Sequence, residues 1–453
     1  MNKGWLATCL GVLSLVLVPG LAFGNGFAIN EQDAKAVAMG GAFVAQADDP
    51  SAVYYNPAGI LQLDGTQVSV GASVISPNLS FKTDGNRANL APPRPSAWGG
   101  PPAGTTTSID AVNFWIPNAY VTQKISDRWG FGFGAFSNFG LSTEWPEEWE
   151  GKFIVGGNKA EITTLSVNPV VAFKPFETLS LAAGPVLQYL DIELKYKVPN
   201  ALGFAGIGPS PALVPEAGVK LAGDDWAWGW NVGLLYRITD TLKFGASYRS
   251  QIKHEIDGGD VKFSPEGVNG LTNVNNGSAD LKLPAIAYLG LSWAPKPFTF
   301  EFDMQWTQWA SYNKLAVDFN KTIGVGPAAT SGLSKEKDWN SVWAYRFGAQ
   351  YSLTDYLDLR AGIIYDPSPI PSRTLDPLIP SGDRWLYCVG FGTHYQKFSF
   401  DFAYNYLKDE SRRFNNDVGD SPVLQAPFTL PRMTGKFEDV SAHIFAVNLS
   451  YAF

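Results

Sequence analysis

Little in this chain is equipped for covalent chemistry. Its 453 residues include two cysteines and three histidines. Cys9 lies in a leader-like N-terminus, so Cys388 stands alone in the remainder and no internal disulfide can form. His254, His394 and His443 fall on different strand candidates, without metal-ligand spacing. Neither a metal nor a cofactor is expected. An enzymatic reading would need a Ser–His pair assembled from distant strands, and no ordered motif supports one. Positive charge is never concentrated. The net charge is −8 and no run of Lys and Arg occurs, which argues against a nucleic-acid partner. Beyond residue 24 there is no stretch of about 18 uninterrupted apolar residues, which excludes a transmembrane helix.

What is there begins with an export signal. Lys3 supplies the positive start, Leu10 to Val18 the apolar run, and Ala22-Phe23-Gly24 the small-x-small cleavage site. Thr8-Cys9 precedes the apolar run, which argues against lipoprotein processing. The mature chain is expected to begin at Asn25. An exported chain can still enter a membrane as a closed barrel, because closure satisfies every strand's backbone groups.

The pattern from residue 66 onward fits such a barrel. Alternation of period two predicts strands at 66–80, 111–125, 128–141, 160–174, 178–197, 224–238, 241–256, 278–294, 298–318, 338–353, 356–367, 383–396, 397–409 and 437–453. Connections alternate between two or three residues, such as Ser126-Asp127 and Thr354-Asp355, and loops of fifteen residues or more, which places the short turns in the periplasm. In the seventh candidate Leu242, Phe244, Ala246, Tyr248 and Ile252 share one face, opposite Lys243, Gly245, Ser247, Arg249, Gln251 and Lys253. A soluble sandwich would have to cover such aromatic faces with a second sheet; a transmembrane barrel turns them to lipid. The fold class is therefore all-β, a 14-stranded antiparallel transmembrane barrel. Residues 1–24 are the signal, 25–65 a small helical plug inside the lumen, and 66–453 the barrel. The chain ends on an alternating strand closed by Phe453, which resembles the assembly signal of bacterial outer-membrane barrels.

Residues 25–60 look like nothing else in the chain. They contain Gly26-Phe27, Asn30-Glu31, Gly40-Gly41-Ala42, Ala47-Asp48-Asp49 and Asn56-Pro57-Ala58, in that order. This order and position resemble the outer-membrane long-chain fatty-acid transporter family of FadL and TodX type, which includes aromatic-hydrocarbon channels. The resemblance covers the plug and the C-terminal strand; the barrel matches in strand number and loop alternation. It implies an uptake channel for hydrophobic molecules, above all long-chain fatty acids. Ligand would be captured at the extracellular loops and released sideways through the wall beside a kinked third strand. Alternatives are aromatic hydrocarbons or alkanes as cargo, and a structural or adhesive barrel. Outer-membrane lipids, lipopolysaccharide and the assembly machinery are the expected partners of a monomer.

Candidate ligand-binding residues are Phe27 and Ile29 at the start of the plug and the luminal arginines Arg249, Arg346 and Arg360. By parity Glu301, Asp303, Asp358 and Asp401 also face the lumen. Such charges either pair with one another and the plug, because an unpaired buried charge is costly, or hold a ligand carboxylate. Asn56, Pro57 and Ala58 either only make a turn or also touch the wall. The third strand places Gly130, Gly132 and Gly134 inward with Phe136, and Trp129, Phe131, Phe133 and Phe139 outward. Those glycines either make room for the plug or mark a kink that opens the wall. The loop segment Glu144 to Glu150 carries Trp145 and Trp149, as interfacial anchors or as a landing groove for ligand.

Overall fold

A computed structural model describes residues 26–88, 98–110, 113–205, 210, 214–416 and 432–453. The signal segment 1–24, Asn25 and residues 91–97 lie outside the described residues. Fourteen antiparallel strands close on themselves. They are β1 (Thr66–Thr83), β2 (Phe114–Lys124), β3 (Trp129–Phe136 and Gly140–Glu144), β4 (Lys159–Phe176), β5 (Leu179–Pro199), β6 (Glu216–Arg237) and β7 (Leu242–Arg249 and Ile252–Ser264). They continue as β8 (Val274–Leu283 and Ile286–Trp293), β9 (Phe298–Thr307), β10 (Val342–Thr354), β11 (Leu357–Asp366), β12 (Arg384–Tyr395), β13 (Phe398–Asp409) and β14 (Gly435–Ala452). Closure joins β1 to β14, from Gln67 opposite Ala452 to Thr83 opposite Gly435. With the first and last strands joined, the barrel has no free sheet edge at its seam, and its strands can cross hydrocarbon.

The lipid-facing band can be followed on β6. Trp226, Trp228, Trp230, Val232 and Tyr236 are exposed on the outer face, while Ala227, Asn231 and Leu235 are buried on the inner one. From Trp226 to Tyr236 the strand spans roughly 33 Å, or about 25 Å of height at a tilt near 40°. Above this band the polarity inverts. On β5, Leu190, Leu194 and Tyr196 are buried inward, and Asp191, Glu193 and Lys195 stand outward. The extracellular half of the barrel therefore has an apolar interior.

Three strands depart from simple alternation. In β7 the ladder breaks at Ser250–Gln251, and the parity of the following residues reverses. Ile252 is consequently buried inside and Lys253 exposed, the opposite of the expectation from periodicity. In β9 the strand stops at Thr307; residues 314–318 instead begin Lys314–Ile323, which pairs with Thr330–Glu336 as an extracellular hairpin. In β3 the break at Ser137–Phe139 turns Phe139 inward, where it is buried, rather than toward lipid.

The plug fills the lumen. It contains α1 (Ala34–Ala38), α2 (Ala52–Tyr55) and a 3-10 turn, Pro57–Gln62. Asp33 caps α1 by accepting from the Lys35 N–H at 2.8 Å. Gly40 and Gly41 follow it at φ +69° and +68°, the left-handed region open to glycine. A Cβ on Gly41 would lie 2.7 Å from the Arg346 guanidinium. The barrel grips the plug through two carboxylates of β9. Asp303 accepts the N–H groups of Phe43 (2.8 Å) and Val44 (3.1 Å), and Glu301 those of Ala45 (2.7 Å) and Gln46 (2.8 Å).

Candidate ligand route beside the plug

The two halves of β3 behave differently. Its lower half pairs with β2 from Lys124–Gly130 up to Ala119–Ala135. Above that register no described residue of β2 pairs with β3, although Phe114–Asn118 remain on β1 and Gly140–Glu144 remain on β4. The wall thus has a gap between β2 and the upper half of β3. At its top the Asp110 N–H donates to Glu144 O at 3.0 Å.

The first plug residues lie at this gap. Ala28 bridges Phe139; the Ile29 N–H donates to Asn138 O at 3.0 Å and the Gly140 N–H to Phe27 O at 2.9 Å. The Phe27 ring sits in a buried aromatic chamber. Ring centroids of Trp309, Tyr312, Trp339 and Phe139 lie 4.7, 5.7, 5.9 and 6.1 Å away. A Cβ on Gly26 would lie 2.6 Å from both Trp309 and Trp339. Phe27 and Ile29 are thereby brought together with the broken strand, and the three aromatics between residues 309 and 339 are contributors that periodicity did not single out.

A buried polar chain reaches the same break along the adjoining strands. Asn138 Oδ1 accepts from Gln188 Nε2 and Ser166 Oγ, both at 2.8 Å. Gln188 Oε1 lies 3.1 Å from His254 Nε2, and Asp225 Oδ2 lies 3.1 Å from His254 Nδ1. These residues come from β3, β4, β5, β7 and β6, and no sequence spacing connects them.

Asn56 anchors to β6, not to the broken strand. Its Nδ2 donates to Val44 O (2.7 Å) and Leu234 O (2.9 Å), and its Oδ1 accepts from the Ala58 N–H (3.2 Å). Gly233 permits this approach, since a Cβ there would lie 2.3 Å from Asn56 Oδ1 and 2.8 Å from Pro57. Gly130, Gly132 and Gly134 make room for the plug: Cβ atoms there would meet Leu61 at 3.0 Å and Val53 at 2.8 and 3.0 Å. The kink itself lies further up, at Ser137–Phe139.

The three arginines have different surroundings. Arg360 is ion-paired to Asp401 (2.5 Å) and Asp358 (3.4 Å). Arg346 donates to Gln305 Oε1 at 3.1 and 2.5 Å and to Gly40 O at 3.1 Å, directly across from Asp303 on the neighbouring strand. Arg249 is 6% exposed and has only neutral partners among the described residues. It donates to Tyr54 O (3.2 Å) and Asn168 Oδ1 (3.3 Å), and lies 5.0 Å from the Phe136 ring and 5.2 Å from that of Tyr54. A buried cation without an anion is expensive to keep.

The extracellular loops are tied down over the lumen. Trp145 and Trp149 stack at 4.1 Å and are buried within the loop core, so they are not anchors at the membrane surface. Trp145 Nε1 donates to Pro377 O at 3.1 Å. Asp376 receives Lys337 at 2.5 Å and Lys335 at 3.2 Å. Burial pushes the Asp376 carboxyl up, but the two lysines outweigh it and hold it down at about 2. Below these loops, Ile192, Leu194, Leu221, Ile256, Leu315 and Val317 line an apolar pocket between the β5–β8 wall and the hairpin that begins at Lys314.

A plugged fourteen-strand barrel with a broken third strand has known relatives. The model of the outer membrane protein transport family (OMPP1/FadL/TodX) matches residues 15–453. The chain belongs to that family. It is an outer-membrane transport protein of Gram-negative type and not an enzyme. It is 24% identical over 479 residues to the long-chain fatty acid transport protein of Salmonella typhi, covering 100% of this chain and 98% of the relative. A Pseudomonas aeruginosa FadL homologue of known structure shares the fold with a TM-score of 0.77 at 21% identity, covering 94% of this chain and 100% of that one. The toluene transporter TbuX of Ralstonia pickettii shares it with a TM-score of 0.63 at 16% identity, covering 93% and 99%.

Proposed function

We propose that this family member takes up long-chain fatty acids. The observation that carries this reading is Arg249, a buried guanidinium beside the plug with no carboxylate paired to it among the described residues. A fatty acid brings the missing anion and a long apolar tail. Its carboxylate would make a charge-assisted pair of the kind that is strongest away from water. The apolar pocket at the β5–β8 rim would take up the tail first, and the gap between β2 and β3 would let it leave sideways into the membrane. Sideways release avoids water, where each exposed CH₂ costs about 0.8 kcal/mol. The relatives named long-chain fatty acid transport proteins support the same reading.

A neutral aromatic cargo is the second reading, and the ring chamber around Phe27 favours it. Uptake of labelled palmitate and labelled toluene by a host lacking its own transporters separates the two. Palmitate accumulation that depends on this protein, without toluene accumulation, is the expected result. Toluene uptake alone overturns the fatty-acid assignment, and uptake of neither returns the chain to a structural role.

A further inference from the structure

We propose that the outer wall of β4–β7, above the membrane, binds the anionic sugar core of lipopolysaccharide. Lys159, Lys195, Lys220 and Lys262 stand directly opposite one another on four successive strands. Like charges opposed across strands destabilise a sheet. The row therefore leans on the charges beside it.

The neighbouring row offsets it only in part. Glu161, Glu193 and Asp260 lie two residues closer to the membrane on the same face. Lys159 is paired to Glu161 and also reaches Glu193 at 3.0 Å; Glu193 further receives Lys195 at 3.2 Å and Lys220, while Lys262 is paired to Asp260 at 2.9 Å. Lys195, Lys220 and Lys262 nevertheless keep 45%, 44% and 57% of their side-chain surface exposed. Their ammonium groups are held by shared carboxylates at a surface and are free to turn toward a further anion.

Height identifies the partner. Lys220 lies on the same face as Trp226, the uppermost exposed tryptophan of the lipid band on β6, six residues further out. That is roughly 20 Å along the strand and about 15 Å above the hydrocarbon at the usual tilt. A glycerophospholipid headgroup reaches only about 5–8 Å past the hydrocarbon, so its phosphate stops short of the row. Between row and band, Asp191 and Asp224 face each other across β5 and β6 and repel a phosphate at the lower level. Phosphates and carboxylates carried on a sugar core reach the lysines. In the outer leaflet of a Gram-negative membrane that lipid is lipopolysaccharide.

The test uses the folded full-length protein in detergent and three probes: lipopolysaccharide with a phosphorylated core, lipid A alone, and phosphatidylglycerol. The triple variant Lys195→Gln, Lys220→Gln, Lys262→Gln should bind the core-bearing lipid at least about tenfold more weakly than the parent, given roughly fivefold per cation near an anionic surface. Lipid A and phosphatidylglycerol should bind parent and variant alike, and the corresponding triple Arg variant should bind as the parent does. Equal affinity of parent and Gln variant for the core-bearing lipid overturns the proposal. So does a parent that holds lipid A or phosphatidylglycerol as tightly. If the Gln variant fails to fold, the parent's salt dependence decides: binding of the core-bearing lipid that does not weaken from low to high salt overturns the proposal too.

Discussion

The Ile29 N–H donates to the Asn138 carbonyl oxygen at 3.0 Å, so the plug's first residues pair with the strand that breaks. The opposite edge of β3 is taken by β4, with Phe136 opposite Ser166 and Gly140 opposite Thr163. The edge left by β2 is therefore the one the plug occupies. Anything that moves the plug's start also moves the local wall.

Ile29→Pro removes that donor without changing the apolar character of the residue. The loss of one hydrogen bond is worth about 1 kcal/mol. Amide exchange at Gly140, whose N–H donates to Phe27 in the same bridge, should accelerate about fivefold, as a loss of that size implies. Exchange at the β6–β7 amides should stay unchanged. Equal acceleration in both places would mean that the whole barrel has loosened.

The plug should depend on β9. Glu301 and Asp303 together accept four successive plug N–H groups. Hydrogen bonds to a charged acceptor contribute about 1.5–3 kcal/mol each. Glu301→Gln with Asp303→Asn should leave a folded, heat-modifiable barrel that conducts ions in a planar bilayer like a protein lacking residues 26–62. A double variant as tight as the parent would show that the plug is held elsewhere.

Much of this molecule was legible in its sequence, and the misses share a cause. Fourteen strands could be counted because alternation persists over about ten residues in each, and the loop asymmetry gave their direction. Local interruptions were not visible. Ser250–Gln251 and Ser137–Phe139 are as polar or aromatic as a continuing strand, yet each reverses the parity that follows, which misplaced Ile252 and Phe139. Pairing between luminal charges was equally hidden. Arg360 and Asp401 are 41 positions apart and meet at 2.5 Å only because β11, β12 and β13 close in register. The plug motif drew attention to residues 25–60, but which wall Asn56 would touch depended on Gly233, one glycine among 46.

Gly132→Val and Gly134→Val should act on the plug, not on the strand break. A Cβ at 132 would lie 2.8 Å from side-chain carbons of Val53 and Val170, and one at 134 would lie 3.0 Å from Val53. Overpacking of this kind costs about 1–3 kcal/mol. The double variant should leak ions through a displaced plug while the β2–β3 gap persists. If it stays tight and its upper β3 amides become protected, the glycines do control the break.

Acid should release the loop cover late. Asp376 is held at about 2 against an ordinary 3.8. A lowered folded value adds stability that is complete above the ordinary pKa and disappears as pH falls through the folded one. The shift corresponds to about 2 kcal/mol, present above pH ~4 and lost toward pH ~2. Pepsin should therefore cut near Leu375 and Leu378 only below about pH 3 in the parent, and already near pH 4 in Asp376→Asn. Identical pH profiles would show that the Lys335–Asp376–Lys337 cluster does not hold the loop.

Arg249→Met decides whether the unpaired guanidinium serves the ligand or the fold. Methionine keeps an apolar side chain of comparable length against Phe136 and Tyr54, and it removes a buried charge. If Arg249 were only structural, its loss would free Tyr54 O and Asn168 Oδ1, both of them neutral acceptors. The cost would be small, or folding would even improve, because a desolvated cation would be gone. If it holds a carboxylate, fatty-acid affinity should fall by about 2–5 kcal/mol, the range for truncating one side of a buried charge pair. A neutral alkane of the same length should bind as before, since it never used the cation. Arg346→Met serves as the contrast. Its guanidinium binds Gly40 O within the plug, so its loss should raise ion leakage and weaken both ligands together. Equal loss of fatty acid and alkane in Arg249→Met would place Arg249 beside Arg346, as part of the plug's support. Unchanged binding of both would remove the arginine from the ligand route altogether.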